Sequence, residues 1–506
     1  MLISQALAPV ALKNGAMKPA FKYLKFSVSY KEFWETSNRF SYFIQKEVGN
    51  GKRVGLWMSN CPHIAYCFIA LSNTKNCTVP LNPWASPEEN LYKIKNAGIS
   101  VILCSSDHTK KLKEFLQQNG HGAIMVIDME SKRCAEYDTS YTAPPAHAPN
   151  EKDHVLLFYT PGTTGKYKGC LFNHNAIVQA MTMVKNAYRT VGNDVFYTQH
   201  HYSNPFNYIH YMLAPLLAGA TIFISDQQTD YKLVLENFLE YKVTRLSPNL
   251  AVFGDLLKFS ETEKISMPTV RNISIYGTTL SKETWEHMAK TTKITVTNVY
   301  GMTEYLGTIA MTSGEAVSDV NKPNFIGPAL LGTKVRVVDD NSDEIDKKKP
   351  QKGQLLVMGP AMMDKYLDLP EEQKQTVRGT WLFTGDIVDF DKDGGMTFHD
   401  RKADVITLQE GRKIFAKEVE PIARNIPQVE DCAYIAARDR MKKPMPVLVI
   451  VKRVQLALNE KQVSEYLTGK VPADKMPAAI FFIDAMPRTV SGAVNRAKLR
   501  SQFDGV

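Results

Sequence analysis

An α/β fold of two domains is the architecture that the sequence predicts, and three observations support it. The chain has 506 residues, which is longer than a single domain usually is. Over residues 1–400, short apolar segments alternate with amphipathic ones, a pattern typical of doubly wound parallel sheets. Beyond Arg401 the composition changes, and about a hundred residues are enough for a separate α+β domain. We therefore predict a large N-terminal domain over residues 1–400 and a smaller, mobile C-terminal lid over residues 401–506.

The predicted elements follow one another in strand–helix order. Residues 54–58, 78–80 and 101–104 are predicted strands, and residues 62–71 and 87–96 are the helices between them. Further strands are expected at 155–158, 221–224, 272–276 and 295–299, with a helix from Asn173 onward. In the lid, a helix at 416–426 and strands at 432–436 and 447–451 precede a last helix. In such sheets, ligands bind at the carboxyl ends of the strands.

Composition and charge narrow the class of protein. The hydrophobic share of 44% and the charged share of 22% are ordinary for a globular protein, and the longest apolar segment, 211–224, is too short to cross a bilayer. No membrane span is therefore expected. The seven cysteines lack paired spacing, which favours free thiols and a cytoplasmic location. The net charge is +9, but the lysines are dispersed, and the one cluster at 347–349 is interpreted as a solvated hairpin tip, so no nucleic-acid partner is expected.

The segment from Tyr159 to Gly169 is the strongest functional signal. It reads Tyr-Thr-Pro-Gly-Thr-Thr-Gly-Lys-Tyr-Lys-Gly and follows a predicted strand. Glycines let the backbone approach a ligand closely, and the hydroxyl, amide and ammonium groups donate hydrogen bonds, so the loop suits a polyphosphate. It is not a Walker A loop, because Tyr167 stands where that loop requires Ser or Thr.

Three further polar motifs lie at or beyond the ends of predicted strands. Residues 298–304 read Asn-Val-Tyr-Gly-Met-Thr-Glu, which places a carboxylate and a hydroxyl on a glycine turn. Residues 276–280 read Tyr-Gly-Thr-Thr-Leu, a turn of small residues. Asp386 ends a Phe-Thr-Gly-Asp segment, and its carboxylate can accept hydrogen bonds from two vicinal hydroxyls.

In this order and at these spacings, the motifs resemble those of the adenylate-forming superfamily, which comprises acyl- and aryl-CoA ligases, peptide-synthetase adenylation domains and luciferases. The family loop is Tyr-Thr-Ser-Gly-Thr-Thr-Gly-x-Pro-Lys-Gly, so Pro161 and Tyr167 are departures. The resemblance runs from about residue 30 to residue 499. It implies an enzyme that uses ATP and Mg²⁺ to convert a small carboxylic acid into an acyl-adenylate. The acyl group would then pass to the thiol of coenzyme A or of phosphopantetheine on an acyl carrier protein.

The resemblance also implies roles for individual residues. Tyr300 would stack on adenine, Asn298 would bind its exocyclic amine, and Thr303 would touch the α-phosphate. Glu304 would hold Mg²⁺, and the ribose hydroxyls would bind Asp386. The predicted catalytic residues are Thr164, Glu304 and Arg401. The predicted nucleotide-binding residues are Thr160, Gly162, Thr163, Thr164, Gly165, Lys168, Gly277, Thr278, Thr279, Asn298, Tyr300, Gly301, Met302, Thr303, Asp386 and Arg401.

The acyl pocket is predicted by position. Relatives often carry a histidine or aromatic residue a fixed distance before a Gly-Ala pair, and in this chain the corresponding residue is Asn204. His200 and His201 lie just upstream, and both a structural and a catalytic role stay open for them. The predicted substrate-binding residues are Asn204, Phe206, Asn207, Tyr208 and Tyr305. Amides and aromatics suit an aryl or polyketide-like acid better than a plain alkyl chain.

The last motif departs from the family pattern at one decisive residue. Residues 486–496 resemble Pro-Arg-Thr-x-x-Gly-Lys-x-x-Arg, but Ala493 stands in place of the lysine. In relatives that lysine reaches the carboxylate and the α-phosphate, and losing one such donor costs about 2.7–4 kcal/mol, or a hundred- to a thousandfold in rate. Departures at Ala403, at Thr407 and before Gly411 concern the thioester-forming arrangement of the lid.

Three interpretations of Ala493 stay open. It is a substitution introduced to trap a complex, or it is natural in a protein that forms thioesters but adenylates poorly. The third alternative is a non-catalytic acyl- or nucleotide-binding protein on a degenerate ligase fold. A phosphoryl transferase, which would release ADP instead of AMP, is disfavoured by the Thr-Gly-Asp and Tyr-Gly-x-Thr-Glu motifs.

Overall fold

The chain folds into two compact units. The computed structural model describes residues 1–506 with gaps at 24–25, 132–136, 144–147, 162–166, 226–229, 278–293, 313–323, 346–350, 409–411, 454–455, 489–493 and 506, and it leaves out the side chains of 161 and 250–252. Unit 1 contains residues 1–160, 167–335 and 357–382, and unit 2 is built mainly from residues 336–356 and 383–506. The predicted domain boundary between residues 400 and 401 stays a prediction.

The first sheet of unit 1 has seven strands in the order β18-β8-β7-β4-β3-β5-β6. Its strands are β3 (Arg53–Trp57), β4 (Cys77–Leu81), β5 (Val101–Cys104), β6 (Met125–Asp128), β7 (His154–Pro161), β8 (Tyr167–Asn173) and β18 (Lys365–Tyr366). The strands β7, β4, β3, β5 and β6 are joined by parallel pairing, whereas β18 is antiparallel to β8. This sheet is apolar on both faces where its strands are buried, as expected for a parallel sheet.

The second sheet has eight strands in the order β14-β13-β12-β11-β9-β10-β1-β2. Its strands are β1 (Pro19–Tyr23), β2 (Phe26–Ser29), β9 (Val195–Thr198), β10 (Thr221–Ile224), β11 (Arg245–Ser247), β12 (Asn272–Tyr276), β13 (Thr295–Tyr300) and β14 (Ala310–Met311). The run from β13 to β1 is parallel, and the outermost strands β14 and β2 are antiparallel. The chain passes from β10 across β9 to β11, so the winding reverses beside β9, where open α/β sheets form ligand crevices.

Several helices of the described residues begin or end at capping signals. Ser29 accepts a hydrogen bond from the Glu32 amide at the start of α2, and Gly98 ends α4 in the left-handed conformation. The helices are α1 (Ile3–Asn14), α2 (Tyr30–Glu47), α3 (Pro62–Asn73), α4 (Pro87–Ala97), α5 (Ser106–Gln118), α6 (His174–Ala187), α7 (Pro205–Tyr208), α8 (Ala214–Ala218), α9 (Tyr231–Glu240), α10 (Leu250–Thr262), α11 (Pro370–Thr376), α12 (Ala416–Arg424), α13 (Glu460–Leu467) and α14 (Arg496–Phe503).

A π-helical segment, Ile209–Leu213, joins α7 to α8. In an α-helix the amide of residue 215 would donate to the Tyr211 carbonyl, but Pro215 has no amide proton and cannot make this bond. The Tyr202 hydroxyl donates to that carbonyl instead, at 3.4 Å. Single π turns of this kind often mark functional sites.

Unit 2 contains two groups of strands and the C-terminal helices. Strands β21, β20, β17 and β16 lie side by side, and β24, β25 and β26 form a three-stranded sheet. The remaining strands are β15 (Phe325–Gly327), β16 (Lys334–Val338), β17 (Gly353–Met358), β19 (Val377–Arg378), β20 (Trp381–Phe390), β21 (Met396–Arg401), β22 (Ile406–Thr407), β23 (Lys413–Ile414), β24 (Val429–Arg438), β25 (Pro444–Lys452) and β26 (Ala479–Ile483). Helix α12 packs on β24 and contributes to a core around Val419, Tyr434 and Ile450.

The predicted fold class is confirmed, since mixed α/β sheets form a large N-terminal part and a smaller C-terminal part follows. The strands at 101–104, 221–224 and 272–276 have the predicted limits. The strands β16, β17, β20 and β21 were not identified from the sequence. The cluster at 347–349 and the insertion before Gly411 lie among the residues that the structure does not describe.

Candidate functional site

The two predicted nucleotide turns of unit 1 lie next to each other at one edge of the second sheet. Strands β12 and β13 are parallel, with Tyr276 paired to Val299. Because both strands end at this edge, Gly277 follows β12 beside the turn that begins at Gly301. Gly277 has a φ of 72°, which a side chain would strain. The structure therefore brings together the two turns that the sequence assigned to adenine and phosphate.

The turn after β13 is packed backbone against backbone. A Cβ atom at Gly301 would lie 2.3 Å from the carbonyl carbon of Gly307 and 2.6 Å from the amide nitrogen of Thr308. Leu306 and Gly307 both have positive φ, at 49° and 84°. The turn thus closes tightly on itself and fixes Thr303 and Glu304 in a short 3₁₀ helix, Thr303–Tyr305.

Glu304 is buried, with 6% of its surface exposed, and its carboxylate is hydrogen-bonded. The Tyr366 hydroxyl donates to Oε1 of Glu304 at 2.6 Å. The Lys168 ammonium lies 5.4 Å from the centroid of the Tyr366 ring, within range of a cation–π contact. Three segments distant in sequence therefore meet here: the end of the predicted phosphate loop, the carboxylate turn and β18.

Asn298 lies on β13 directly before the turn. Its side-chain amide donates to the Phe325 carbonyl at 3.0 Å, and its backbone amide donates to the Thr312 hydroxyl at 2.7 Å. The bond to Phe325 orients the side-chain amide, whose oxygen is the acceptor that an exocyclic amine requires, and the bond to Thr312 holds the backbone. Tyr300 and Met302 are partly exposed at the same edge.

The predicted phosphate loop is described only at its flanks. Thr160 lies on β7, and Lys168 lies on β8 beside it. A Cβ at Gly169 would lie 2.9 Å from the Leu157 side chain, so β8 needs a glycine here to pack against β7. The residues Gly162, Thr163, Thr164, Gly165, Thr278, Thr279 and Ala493 lie outside the described residues.

The predicted acyl-binding residues are mostly buried. Asn204 caps α7 by accepting from the Phe206 amide at 2.9 Å, and the Asn207 carbonyl oxygen accepts from the Thr198 hydroxyl at 3.0 Å. Phe206 stacks flat on Tyr276, with ring centroids 4.5 Å apart and planes at 3°. This pair connects the acyl candidates to the strand that carries the adenine turn.

The other two acyl candidates are fully buried tyrosines. Tyr305 shares a hydrogen bond of 3.0 Å with the Thr333 hydroxyl, and Tyr208 packs edge-on against Phe68 and Phe158. The Tyr208 hydroxyl is a buried polar atom with no hydrogen-bond partner in the described part of the chain. An unpaired hydroxyl of this kind is costly to bury, so it is a candidate contact for a polar substrate group.

His200 and His201 are bonded to backbone carbonyls. The Nε2 atom of His200 lies 2.9 Å from the Pro248 oxygen, and that of His201 lies 2.8 Å from the Met58 oxygen. Burial lowers the pKa of His200, and it lowers the pKa of His201 to about 4. Both rings are therefore neutral near pH 7, and their geometry favours the structural role over the catalytic one.

A buried polar network joins the acyl segment to the carboxylate turn. The His210 ring contacts Thr308 through Nε2 and the Tyr188 hydroxyl, at 3.1 Å, through Nδ1. Tyr188 in turn shares a 2.8 Å hydrogen bond with Ser274 on β12. Burial lowers the pKa of His210 to about 3, so the ring stays neutral and can accept one hydrogen bond while donating another.

In unit 2, Asp386 and Arg401 face each other on paired strands. They are direct partners in the β20–β21 register, with Arg401 Nε 3.7 Å from Asp386 Oδ1. Gly385 has a φ of 76°, and the Thr384 hydroxyl accepts from the Asp386 amide while donating to the Leu355 carbonyl. Asp386 is 8% exposed whereas Arg401 is exposed.

The segment after Arg401 is held by the last helix. Arg500 donates to the Ala403 carbonyl at 2.6 Å and to Asp404 at 2.8 Å. Arg496, the arginine that ends the Pro-Arg-Thr motif, lies between Asp404 and Glu420. These ion pairs connect the predicted hinge to the segment that follows Ala493.

Sequence reasoning missed three residues of this arrangement: Tyr366, Tyr276 as a stacking partner, and His210. Tyr366 and His210 belong to no motif with an assigned role, and Tyr276 belongs to a nucleotide turn in which its ring was given none. Their partners lie far away in sequence, so no local signal marks these contacts. Among the described residues, no helix is long and apolar enough to cross a membrane, and no three His, Cys, Asp or Glu side chains are grouped to hold a metal ion.

Comparison with known proteins identifies the family of the chain. The AMP-binding enzyme family matches residues 10–367, and the AMP-binding enzyme C-terminal domain matches residues 418–493. 4-Coumarate–CoA ligase 3 from rice is 24% identical over 490 residues, covering 94% of this chain and 87% of that protein.

Two solved structures have the same fold. ATP-bound MatB from Rhodopseudomonas palustris has a TM-score of 0.84 at 21% identity, covering 99% of both chains. Anthranilate CoA ligase AuaEII in complex with anthranoyl-AMP has a TM-score of 0.84 at 20% identity, covering 100% of this chain and 97% of the other. With a family match over more than half of its length, the chain belongs to the AMP-binding enzyme family, within the adenylate-forming superfamily.

Proposed function

We propose that this protein is an acid–thiol ligase, which activates a carboxylic acid with ATP and transfers the acyl group to a thiol. The observation that carries the proposal is the adjacency of the Gly277 and Gly301 turns, with buried Glu304 bonded to Tyr366, whose ring lies near Lys168. A base-binding turn, a carboxylate and a phosphate-loop lysine connected in this way suit binding of a nucleoside triphosphate. The 4-coumarate–CoA ligase relatives support coenzyme A as the acceptor.

Mg²⁺ fits the donor set of the carboxylate turn. Glu304 supplies a hard oxygen ligand and Thr303 a hydroxyl on the same turn. Mg²⁺ is commonly held by one or two protein carboxylates together with substrate phosphates, so a single carboxylate is enough. When bound, the ion would neutralise charge on the phosphates as the carboxylate attacks the α-phosphate and pyrophosphate leaves.

The remaining nucleotide contacts are assigned to residues with matching chemistry. Tyr300 presents a ring for adenine, and oriented Asn298 presents its amide oxygen to the exocyclic amine. Asp386 accepts from the ribose hydroxyls, and Arg401 beside it contacts ribose or phosphate. Thr163 and Thr164 are assigned to the phosphates on the basis of the loop motif alone.

The acid is proposed to be aromatic. Phe206, Tyr208 and Tyr276 supply flat apolar surfaces, and Asn204 and Asn207 supply polar groups. The names of two relatives, 4-coumarate–CoA ligase and anthranilate CoA ligase, refer to aromatic acids. Thermal shift with ATP and a panel of aryl and alkyl acids tests this proposal, because a bound ligand raises the melting temperature. A panel in which only alkyl acids stabilise the protein contradicts it.

The three interpretations of Ala493 differ in their products. Mass spectrometry of ATP, acid and thiol, with the chain as it stands and with Ala493→Lys, separates them. A trapped ligase gains pyrophosphate release by about a hundred- to a thousandfold on Ala493→Lys, because one preorganised donor is restored. A natural thioester-forming protein converts a supplied acyl-adenylate to thioester without the substitution. The matched control is Ala497→Lys, which adds the same charge at an exposed position of α14.

The acceptor thiol is tested in the same assay. Coenzyme A and a phosphopantetheine-bearing carrier protein are offered separately, and thioester on either one supports the ligase. ATP binding with no turnover in both the original chain and Ala493→Lys supports the non-catalytic binder instead. If neither protein binds ATP or makes acyl-adenylate or thioester, the proposal fails.

We place this activity in the cytoplasm on the basis of the cysteines. In the part of the chain that the structure describes, cysteines 61, 67, 77, 104, 170 and 432 are buried thiols outside any disulfide. Free thiols of this kind are typical of a reducing compartment.

A further inference from the structure

The Glu304 carboxylate has a partner to which the proposed function gives no role. Tyr366 donates its hydroxyl hydrogen to Glu304 Oε1 at 2.6 Å, and both residues are buried. A short bond between a hydroxyl and a carboxylate is among the stronger hydrogen bonds in proteins. Two buried groups bonded in this way restrict each other to one rotamer.

We propose that Tyr366 is a positioning residue that orients Glu304 for the Mg²⁺ of Mg·ATP. The inference rests on the proposed function, because it requires that Glu304 faces a metal-bound nucleotide. A phenol is well suited to this role, since it orients the carboxylate without adding a positive charge that would compete with the ion. Hydrogen-bond partners of metal-binding carboxylates commonly tune affinity in this manner.

Tyr366 is itself held from both sides. It lies on β18, which is antiparallel to β8, and its neighbour Leu367 donates its amide to the Gly169 carbonyl at 2.8 Å. The amide of Met363 donates to the Glu304 carbonyl at 2.8 Å, so the segment that leads into β18 also holds the backbone of the carboxylate turn. The ring position is therefore set by backbone contacts and does not depend on the hydroxyl.

Two further groups surround the ring and its hydroxyl. The Thr376 side chain, at the end of α11, lies near the Tyr366 hydroxyl. Lys168 lies 5.4 Å from the ring centroid on the side of the phosphate loop. The hydroxyl thus lies between Thr376 and Glu304, while the ring supports a lysine predicted to contact the nucleotide.

The test is the Mg²⁺ dependence of ATP binding, measured by calorimetry on the full chain. Tyr366→Phe keeps the ring and its contact with Lys168 but removes the hydroxyl. We expect the Mg²⁺ concentration for half-maximal ATP binding to rise by about 10–100-fold, the range typical for loss of such a partner. ATP binding in EDTA is expected to change less than about twofold, because the hydroxyl acts through the ion's ligand alone. In a Glu304→Gln background, Tyr366→Phe is expected to have no further effect.

Tyr137→Phe is the matched control, because it removes a tyrosine hydroxyl that donates to Glu47 at 3.2 Å, away from the site. If Tyr366→Phe behaves like Tyr137→Phe, or weakens ATP binding equally in EDTA, the positioning role is wrong while the ligase proposal stands. If Tyr366→Phe folds poorly, Thr376→Val is measured instead. A smaller rise in the Mg²⁺ concentration for half-maximal ATP binding is then expected. An unchanged Mg²⁺ dependence would overturn the inference. A parent protein that does not bind Mg·ATP at all would overturn both proposals.

Discussion

The close packing of Gly301 predicts that the smallest substitution there damages both the fold and the nucleotide site. In Gly301→Ala, the new Cβ would lie 2.3 Å from Gly307 carbonyl atoms and 2.6 Å from the Thr308 amide. Carbon atoms in contact are normally about 3.5–4.0 Å apart, so the backbone has to move by roughly 1 Å. Neither partner is a flexible side chain, so the shift falls on the turn that carries Glu304.

The expected magnitudes follow from that displacement. Overpacking of this kind typically lowers the free energy of unfolding by about 1–3 kcal/mol. A displacement of about 1 Å at an active site can cost roughly a hundredfold in rate. We therefore expect Gly301→Ala to unfold at lower urea concentration and to bind Mg·ATP much more weakly by calorimetry.

Gly254→Ala is the matched control for this prediction. Gly254 lies inside α10, and a Cβ there would meet nothing within 4 Å. The same substitution should therefore stabilise the protein by about 0.5–1 kcal/mol, because glycine in a helix interior is unfavourable. The reasoning is refuted if Gly301→Ala keeps the parent's stability and ATP affinity.

Three further substitutions test other parts of the structure. Asp194 is buried against Arg245 and Arg271. Asp194→Ala should therefore lower the free energy of unfolding by about 3–5 kcal/mol, because it leaves buried charge unpaired. A loss under about 1 kcal/mol in urea denaturation would contradict this prediction. Burial lowers the pKa of His174 to about 4, so the unfolded chain takes up a proton below about pH 6.5 that the folded chain does not. This group should therefore lower the free energy of unfolding by about 1.4 kcal/mol for each pH unit between pH 6 and pH 5. His174→Gln should remove that pH dependence, and an equal pH dependence in the variant would contradict the prediction. Asp386→Ala should weaken ATP binding by about 1.5–3 kcal/mol, the value of hydrogen bonds to a charged group, and an unchanged dissociation constant in calorimetry would exclude the ribose role.

The features that could be predicted from the sequence are the local ones. The strand ending at Tyr276 and the turns at Gly277 and Gly301 are encoded within a few residues, by an apolar run followed by small and polar residues. Sheet parallelism then requires those turns to share an edge, so their adjacency follows from the fold class.

The contacts that complete the site could not be predicted in this way. Tyr366 and Glu304 are 62 residues apart in sequence. The strand that carries the tyrosine, β18, has only two residues, which is too short to show an alternation of apolar and polar residues. Phe206 and Tyr276 likewise meet only because β9 and β12 belong to one sheet. Such contacts depend on register and crossover geometry, which a single sequence does not reveal.

The central claim is that ATP is cleaved at its α-phosphate. It is tested most directly by ³¹P NMR of Ala493→Lys incubated with Mg·ATP, an aromatic acid and coenzyme A. We expect AMP and pyrophosphate, accumulating only when the acid is present. ADP and inorganic phosphate as the products, or ATP that binds and stays intact with every acid, would contradict it.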